Sequence, residues 1–102
     1  MHPDDSMARI INRKHYSVKN STLIASDEFW DGSNFEHSGR NTFLYRTLKG
    51  YYFTVTLTMW QGERDVLEPV SQEEALSLYE NDLSEHLVNY KDAFPDVQVE
   101  ET

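Results

Sequence analysis

Between Asn41 and Trp60 the chain alternates apolar and polar positions with a period of two. "NTFLYRT" sets Phe43 and Tyr45 against Thr42, Leu44 and Arg46. "YYFTVTLTMW" sets Tyr51, Phe53, Val55, Leu57 and Met59 against Tyr52, Thr54, Thr56, Thr58 and Trp60. Successive side chains of a strand point to opposite faces, so the stretch predicts a hairpin of two strands, about 41–47 and 51–60. A three-residue loop, Leu48-Lys49-Gly50, pairs Thr47 with Tyr51, Tyr45 with Phe53 and Phe43 with Val55, with Gly50 left-handed. A two-residue loop puts Arg46 opposite Phe53, and a slip of one residue turns the whole apolar set to the wrong face. The three-residue loop is therefore expected. The Phe53/Val55/Leu57 face, with Tyr51 and Met59, is the expected core, and the Thr-rich face is expected to be solvated.

Upstream, "ARIINRKHYS" reads as two short strands around a turn at Asn12-Arg13. Ser17–Thr22 is expected to make one helical turn, and Leu23–Trp30 a further strand. "DGSNFEHSGRN" is the longest loop, rich in residues that tolerate turn dihedrals. Downstream, "PVSQEEALSLYE" carries a helix start. Ser71 is an N-cap, Glu74 completes a capping box, and Val70 can staple onto Ala75. Ala75, Leu76, Tyr79 and Leu83 then recur at helical spacing. "LSEHLVNYKDAF" repeats that spacing with Leu83, Leu87, Tyr90 and Phe94, and Pro95 ends it. The expected fold is α+β: an antiparallel sheet of about four to five strands, covered by one or two C-terminal helices at about 72–82 and 84–94. Residues 1–7 read as a flexible tail, 8–96 as one domain and 97–102 as an acidic tail.

The 102 residues include no cysteine, which removes disulfides, thiolate nucleophiles and Cys-ligated zinc. No apolar run approaches the ~20 residues of a membrane helix. "MHPDDSMARI" carries acids where a signal peptide would be basic and then apolar. A cytoplasmic location without membrane contact is expected. The net charge of −9 is unevenly spread: residues 1–62 hold seven bases and six acids, whereas residues 63–102 hold two bases and twelve acids. Such a surface repels phosphate backbones and attracts basic partners. It serves either as a solvated face or as a binding face for a basic protein, through Glu73, Glu74, Glu80, Asp82 and Glu85. Trp30 and Trp60 flank loops and are candidate interface anchors.

Candidate chemistry is sparse. His2, His15, His37 and His86 are scattered singly, without metal-ligand spacing. "DGSN" opens like a calcium loop, but its twelfth position is Thr42, not Glu. The four glycines are isolated, so no phosphate-cradling loop is present. Neither cofactor nor metal is expected. A hydrolase-type site assembled from His37 plus a distant carboxylate and Ser is a second alternative, as an enzyme. The first alternative is a regulatory or single-strand-binding domain, using Tyr52, Arg46, Arg40 and Trp60 on the sheet face, among bases that include Arg9, Arg13, Lys14, Lys19 and Lys49. The overall negative charge disfavours it. A homodimer through an edge strand or the Thr/Tyr face stays open.

"RKHYSVKNSTLIAS", "TFLYRTLKGYYF" and "LEPVSQEEALSLYE" together resemble a broad group of small, mostly uncharacterised bacterial and phage proteins. Their pattern has a basic residue and Tyr before a short turn, then a "LYRTKKGxYFL" hairpin, then "PLSxEEAxxW" opening a helix. The resemblance runs from Arg13 to about Phe94. It departs at "TVTLTMWQGERDV", where many relatives have a longer Gly-rich insertion. It implies a mobile-element protein, in size and charge similar to phage inhibitors of host defence complexes (anti-CRISPR-like). No catalytic residue carries over. The expected activity is a non-enzymatic protein-binding module that docks on a host nucleic-acid-handling complex through its acidic surface.

Overall fold

The computed structural model describes residues 3–27, 40–58, 62 and 64–99. Strands β1 (Ala8–Ile11) and β2 (Lys14–Ser17) form a two-stranded hairpin. Strands β3 (Ser21–Ser26), β4 (Arg40–Thr47), β5 (Tyr52–Thr58) and β6 (Val66–Val70) follow as an antiparallel meander. Helix α1 (Gln72–Ser77) continues into a π-helical turn over Leu78–Asp82. Strand β7 (Glu85–His86) and helix α2 (Tyr90–Ala93) complete the described elements. The main sheet has the order β6-β5-β4-β3-β7. This is an α+β fold with an antiparallel sheet and C-terminal helices, as the sequence predicts.

The central hairpin has the expected register, with Tyr45 opposite Phe53 and Phe43 opposite Val55. The Thr47 amide donates to the Tyr51 carbonyl at 2.8 Å, and Gly50 sits at φ 91°. A side chain there would be strained in that conformation, and its Cβ would lie 3.3 Å from the Arg46 guanidinium. At the other tip, Asn12 and Arg13 take φ of 52° and 64°, the paired left-handed dihedrals of a type I′ hairpin turn.

Both faces of β4 and β5 are buried, each under a different layer. Phe43, Tyr45, Phe53, Val55 and Leu57 pack with Leu67 beneath Tyr16 and Val18 of the N-terminal hairpin and its exit. Tyr45 stacks on its cross-strand partner Phe53 at 5.1 Å, and Tyr16 meets Phe53 edge-on at 5.7 Å. The opposite face, with Leu44 and Tyr52, packs against Ala75, Tyr79, Leu83, Ala93 and Phe94 of the C-terminal layer. This corrects the expectation of a wet Thr/Tyr face. Tyr52 is only 4% exposed, and Thr54 is also buried. The helices cover this side, and the β1–β2 hairpin covers the side expected to lie beneath them. Tyr51, expected in the core, is 46% exposed at the tip.

Strand β3 explains how the C-terminal layer attaches. Its register against β4 shifts between Leu23 and Ala25, leaving Ile24 as the extra residue of a bulge. The Ile24 carbonyl accepts from the amides of Leu87 and Val88, at 3.0 and 3.3 Å. Just before these, Ala25 and Ser26 pair with His86 and Glu85. The helix expected over 84–94 is therefore broken. Residues 85–86 satisfy the open backbone of the β3 edge, and only Tyr90–Ala93 is helical, started by Asn89 whose side chain accepts from the Asp92 amide at 2.9 Å. Tertiary backbone pairing outweighs the local helical spacing, and Leu87 is left 49% exposed.

The expected helical turn at 17–22 is also absent. Ser17 ends β2, Val18 donates to the Met7 carbonyl, and a tight turn leads into β3 at Ser21. That bond and the packing of Met7 connect the segment before β1 to the fold, and Pro3 is buried too. Strand β3 ends at Ser26, where Asp27 accepts from the Thr42 amide at 2.8 Å and from Asn41 Nδ2 at 3.1 Å. Residues 28–30 of the strand expected to reach Trp30 lie outside the described residues. No helix among the described residues is long and apolar enough to cross a membrane.

Candidate functional site

Two surfaces of opposite charge flank the sheet. The acidic one is built on the C-terminal layer. Ser71 caps α1: its Oγ accepts from the Glu74 amide at 3.1 Å, and the Glu74 carboxylate accepts from the Ser71 amide at 3.3 Å. Val70, the expected staple, packs on the core cluster that contains Ala75. The cap fixes the first turn of α1 and so presents Glu73 to solvent. The helix then widens to π, with the Leu83 amide donating to the Leu78 carbonyl at 2.8 Å, and Glu80 and Asp82 emerge exposed. Glu85 is exposed on β7.

The five acids differ in their engagement. Glu74 is held in the capping box. Glu80 accepts from the Tyr90 hydroxyl at 2.5 Å, and this bond, with lesser burial and charge effects, pushes the Tyr90 phenol up to about 12. Beneath them Tyr79 stacks on His86 at 3.8 Å and meets Tyr90 and Phe94 edge-on. The Tyr79 hydroxyl donates to the Val88 carbonyl at 2.7 Å, and burial raises its pKa. His86 Nε2 lies 2.8 Å from the Tyr79 carbonyl oxygen; since a carbonyl only accepts, that nitrogen carries the hydrogen. This aromatic cluster packs β7 and α2 against the π-helical turn that carries Glu80 and Asp82.

The alternative nucleic-acid face is not available as read from the sequence. The Tyr52 ring stacks on Phe94 at 5.1 Å beneath the helices, and its hydroxyl donates to the Ala93 carbonyl at 2.7 Å. It presents no surface on which a base could stack. Arg46 is half-buried on the same face, with its Nε buried and unpartnered. Arg40 begins β4. Trp30, Trp60 and His37 lie outside the described residues, and with them the Trp anchors and the His37 enzyme reading. Among the described residues, no cluster of three or more His, Asp or Glu side chains is placed to hold a metal.

The second surface is basic. A cleft of about 470 Å³ lies where the β1–β2 tip meets the β4–β5 tip and the β2–β3 turn. Arg13, Lys14 and His15 line one wall, and Leu48, Lys49 and Tyr51 another, with Asn20 and Ser21 among the remaining lining residues. Lys14 Nζ stands 5.2 Å from the centre of the Tyr51 ring, a cation–π contact that joins the two tips. The individual bases are visible in the sequence, but their convergence is not. The one local hint is a shared spacing, a lysine two residues before a tyrosine at each tip: Lys14 and Tyr16, Lys49 and Tyr51.

Compared with family models, with curated proteins and with solved structures, the chain matches none of them.

Proposed function

We propose that this protein is a non-enzymatic binding module that docks on a basic surface of a protein partner through its C-terminal acidic layer. The observation that carries the reading is the joint exposure of Glu73, Asp82 and Glu85 on a layer anchored to the sheet by the Tyr52–Ala93 bond and the β3–β7 pairing. Exposed charges carried on a packed layer steer association with a basic surface. Leu87, half exposed and two residues from Glu85, supplies an apolar contact beside the charges. The resemblance to phage inhibitor proteins extends the proposal: the partner is a nucleic-acid-handling host complex, and the acidic layer occupies lysines and arginines that would otherwise hold phosphate.

The test is double charge reversal, Glu73→Lys with Asp82→Lys, and measurement of affinity for a host partner at two salt concentrations. Glu74 is unsuitable, because its reversal would break the capping box and confound binding with stability. Affinity should fall and its salt dependence should flatten. If both quantities stay as in the native protein, the acidic layer is only a solvated face and the proposal fails.

A further inference from the structure

The cleft between the hairpin tips inverts the charge of the molecule. The chain carries 18 acids against nine bases, yet the described residues lining the cleft include Arg13, Lys14 and Lys49 and no carboxylate. Three fixed cations converging on a concave surface repel one another, and that cost is recovered when an anion binds. The volume, about 470 Å³, falls within the usual range for small-ligand sites. Tyr51 and Leu48, both in the cleft lining, are 46% and 86% exposed and give it apolar surface beside the bases. A half-exposed tyrosine ring beside a cluster of bases offers a stacking surface next to an anion site. Asn20 and Ser21 add neutral donors and acceptors.

From this juxtaposition we infer that the cleft binds a nucleotide unit, with its phosphate held by Arg13, Lys14 and Lys49 and its base against Tyr51. The residues holding it belong to the two turns and are separate from the acidic layer, so the inference does not depend on the proposed docking function. The strongly acidic remainder of the chain works against tracking a long phosphate backbone. The site therefore takes one unit, supplied either as a free nucleotide or as part of a single strand.

The test is fluorescence anisotropy with a short labelled oligothymidylate, competed separately by thymidine monophosphate and by inorganic phosphate. Binding should saturate. With one phosphate engaged, log affinity should fall against log salt with a slope of about −0.7. Lys14→Glu and Lys49→Glu should each weaken binding by roughly tenfold, and Tyr51→Ala by a similar factor, since base–aromatic stacking contributes about 1–3 kcal/mol. All three residues are exposed, and circular dichroism would verify that each variant is folded. Lys91→Glu, on α2, changes the net charge equally and should leave affinity unchanged. Competition by the monophosphate identifies free nucleotide as a ligand; binding of the oligomer without such competition identifies the strand, and either result supports the site. Three results overturn it: no saturable binding, a Lys91→Glu effect equal to that of Lys49→Glu, or competition by phosphate as strong as by the nucleotide together with a neutral Tyr51→Ala.

Discussion

The phenol oxygen of Tyr52 lies 2.7 Å from the carbonyl oxygen of Ala93, 41 residues further along the chain. The bond joins strand β5 to α2, the last described helix. It also gives a hydrogen-bond partner to a tyrosine that the alternating pattern alone would leave facing water. Removing the hydroxyl leaves a buried carbonyl without its donor, and Tyr52→Phe should cost about 1–2 kcal/mol. A thermal melt followed by circular dichroism should show a Tm lower by several degrees. Nucleotide binding in the tip cleft should be unaffected. An unchanged Tm would mean that the C-terminal layer does not sit on this face.

Alkaline pH should report on the layers on both sides of the sheet, through Tyr45 on one and Tyr90 on the other. Burial, with a smaller contribution from Asp5, pushes the Tyr45 phenol up to about 12, and the bond to Glu80 does the same for Tyr90. Both shifts favour the protonated form in the folded state. Their stabilisation is complete below the ordinary tyrosine pKa of about 10 and is lost as pH rises from about 10 through about 12. An absorbance titration should find Tyr45 and Tyr90 ionising late among the six tyrosines, and Tm should drop across that interval. Tyr45→Phe should flatten the drop. A chain whose tyrosines all ionise near pH 10 while still folded would contradict the burial of Tyr45.

At the start of α1, Ser71→Ala removes the acceptor for the Glu74 amide and one half of the capping box. A loss of about 1 kcal/mol is expected, measured as a lower urea midpoint with an unchanged slope. Glu74→Gln keeps a side chain that can still reach back to the Ser71 amide and should cost less.

Arg13 holds a positive φ of 64° with a full side chain. Replacing it with glycine converts the tip to Asn-Gly, the preferred type I′ pair, and should stabilise the fold by up to about 1 kcal/mol. The same change removes a cation from the cleft. Arg13→Gly should therefore raise Tm while weakening nucleotide binding, and a rise in both would separate Arg13 from the site.

The hairpin register was legible because two local facts agree. Phe43, Tyr45, Phe53 and Val55 alternate in phase, and a three-residue loop ending in Gly50 is the one that keeps that phase. The capping box was legible for the same reason, since Ser71 and Glu74 find each other within one turn. The helix expected over 84–94 failed because Leu83, Leu87, Tyr90 and Phe94 share a spacing but not a fate. Leu83 and Phe94 are buried, Leu87 is exposed, and the segment between them spends its backbone bonds on Ile24, Ala25 and Ser26. The basic cleft was legible only as separate bases, because its walls are more than 30 positions apart in the chain.

Taken alone, the order of residues determined the β-turns, the central strand pairing, the helix start and the uneven distribution of charge. These depend on neighbours within a few positions, whose geometry is nearly independent of the rest of the chain. Tertiary structure decided which layer covers each side of the sheet, which segment completes the β3 edge, and where the bases converge. Leu44, Tyr52 and Thr54 on one side and Phe43, Phe53 and Val55 on the other can both be buried, so hydrophobic pattern does not choose between them. Nor does a strand edge specify which distant backbone will satisfy it. Those choices follow from the bulge at Ile24, the reach of the Tyr52 hydroxyl and the closing of the two tips, which exist only once the chain has folded.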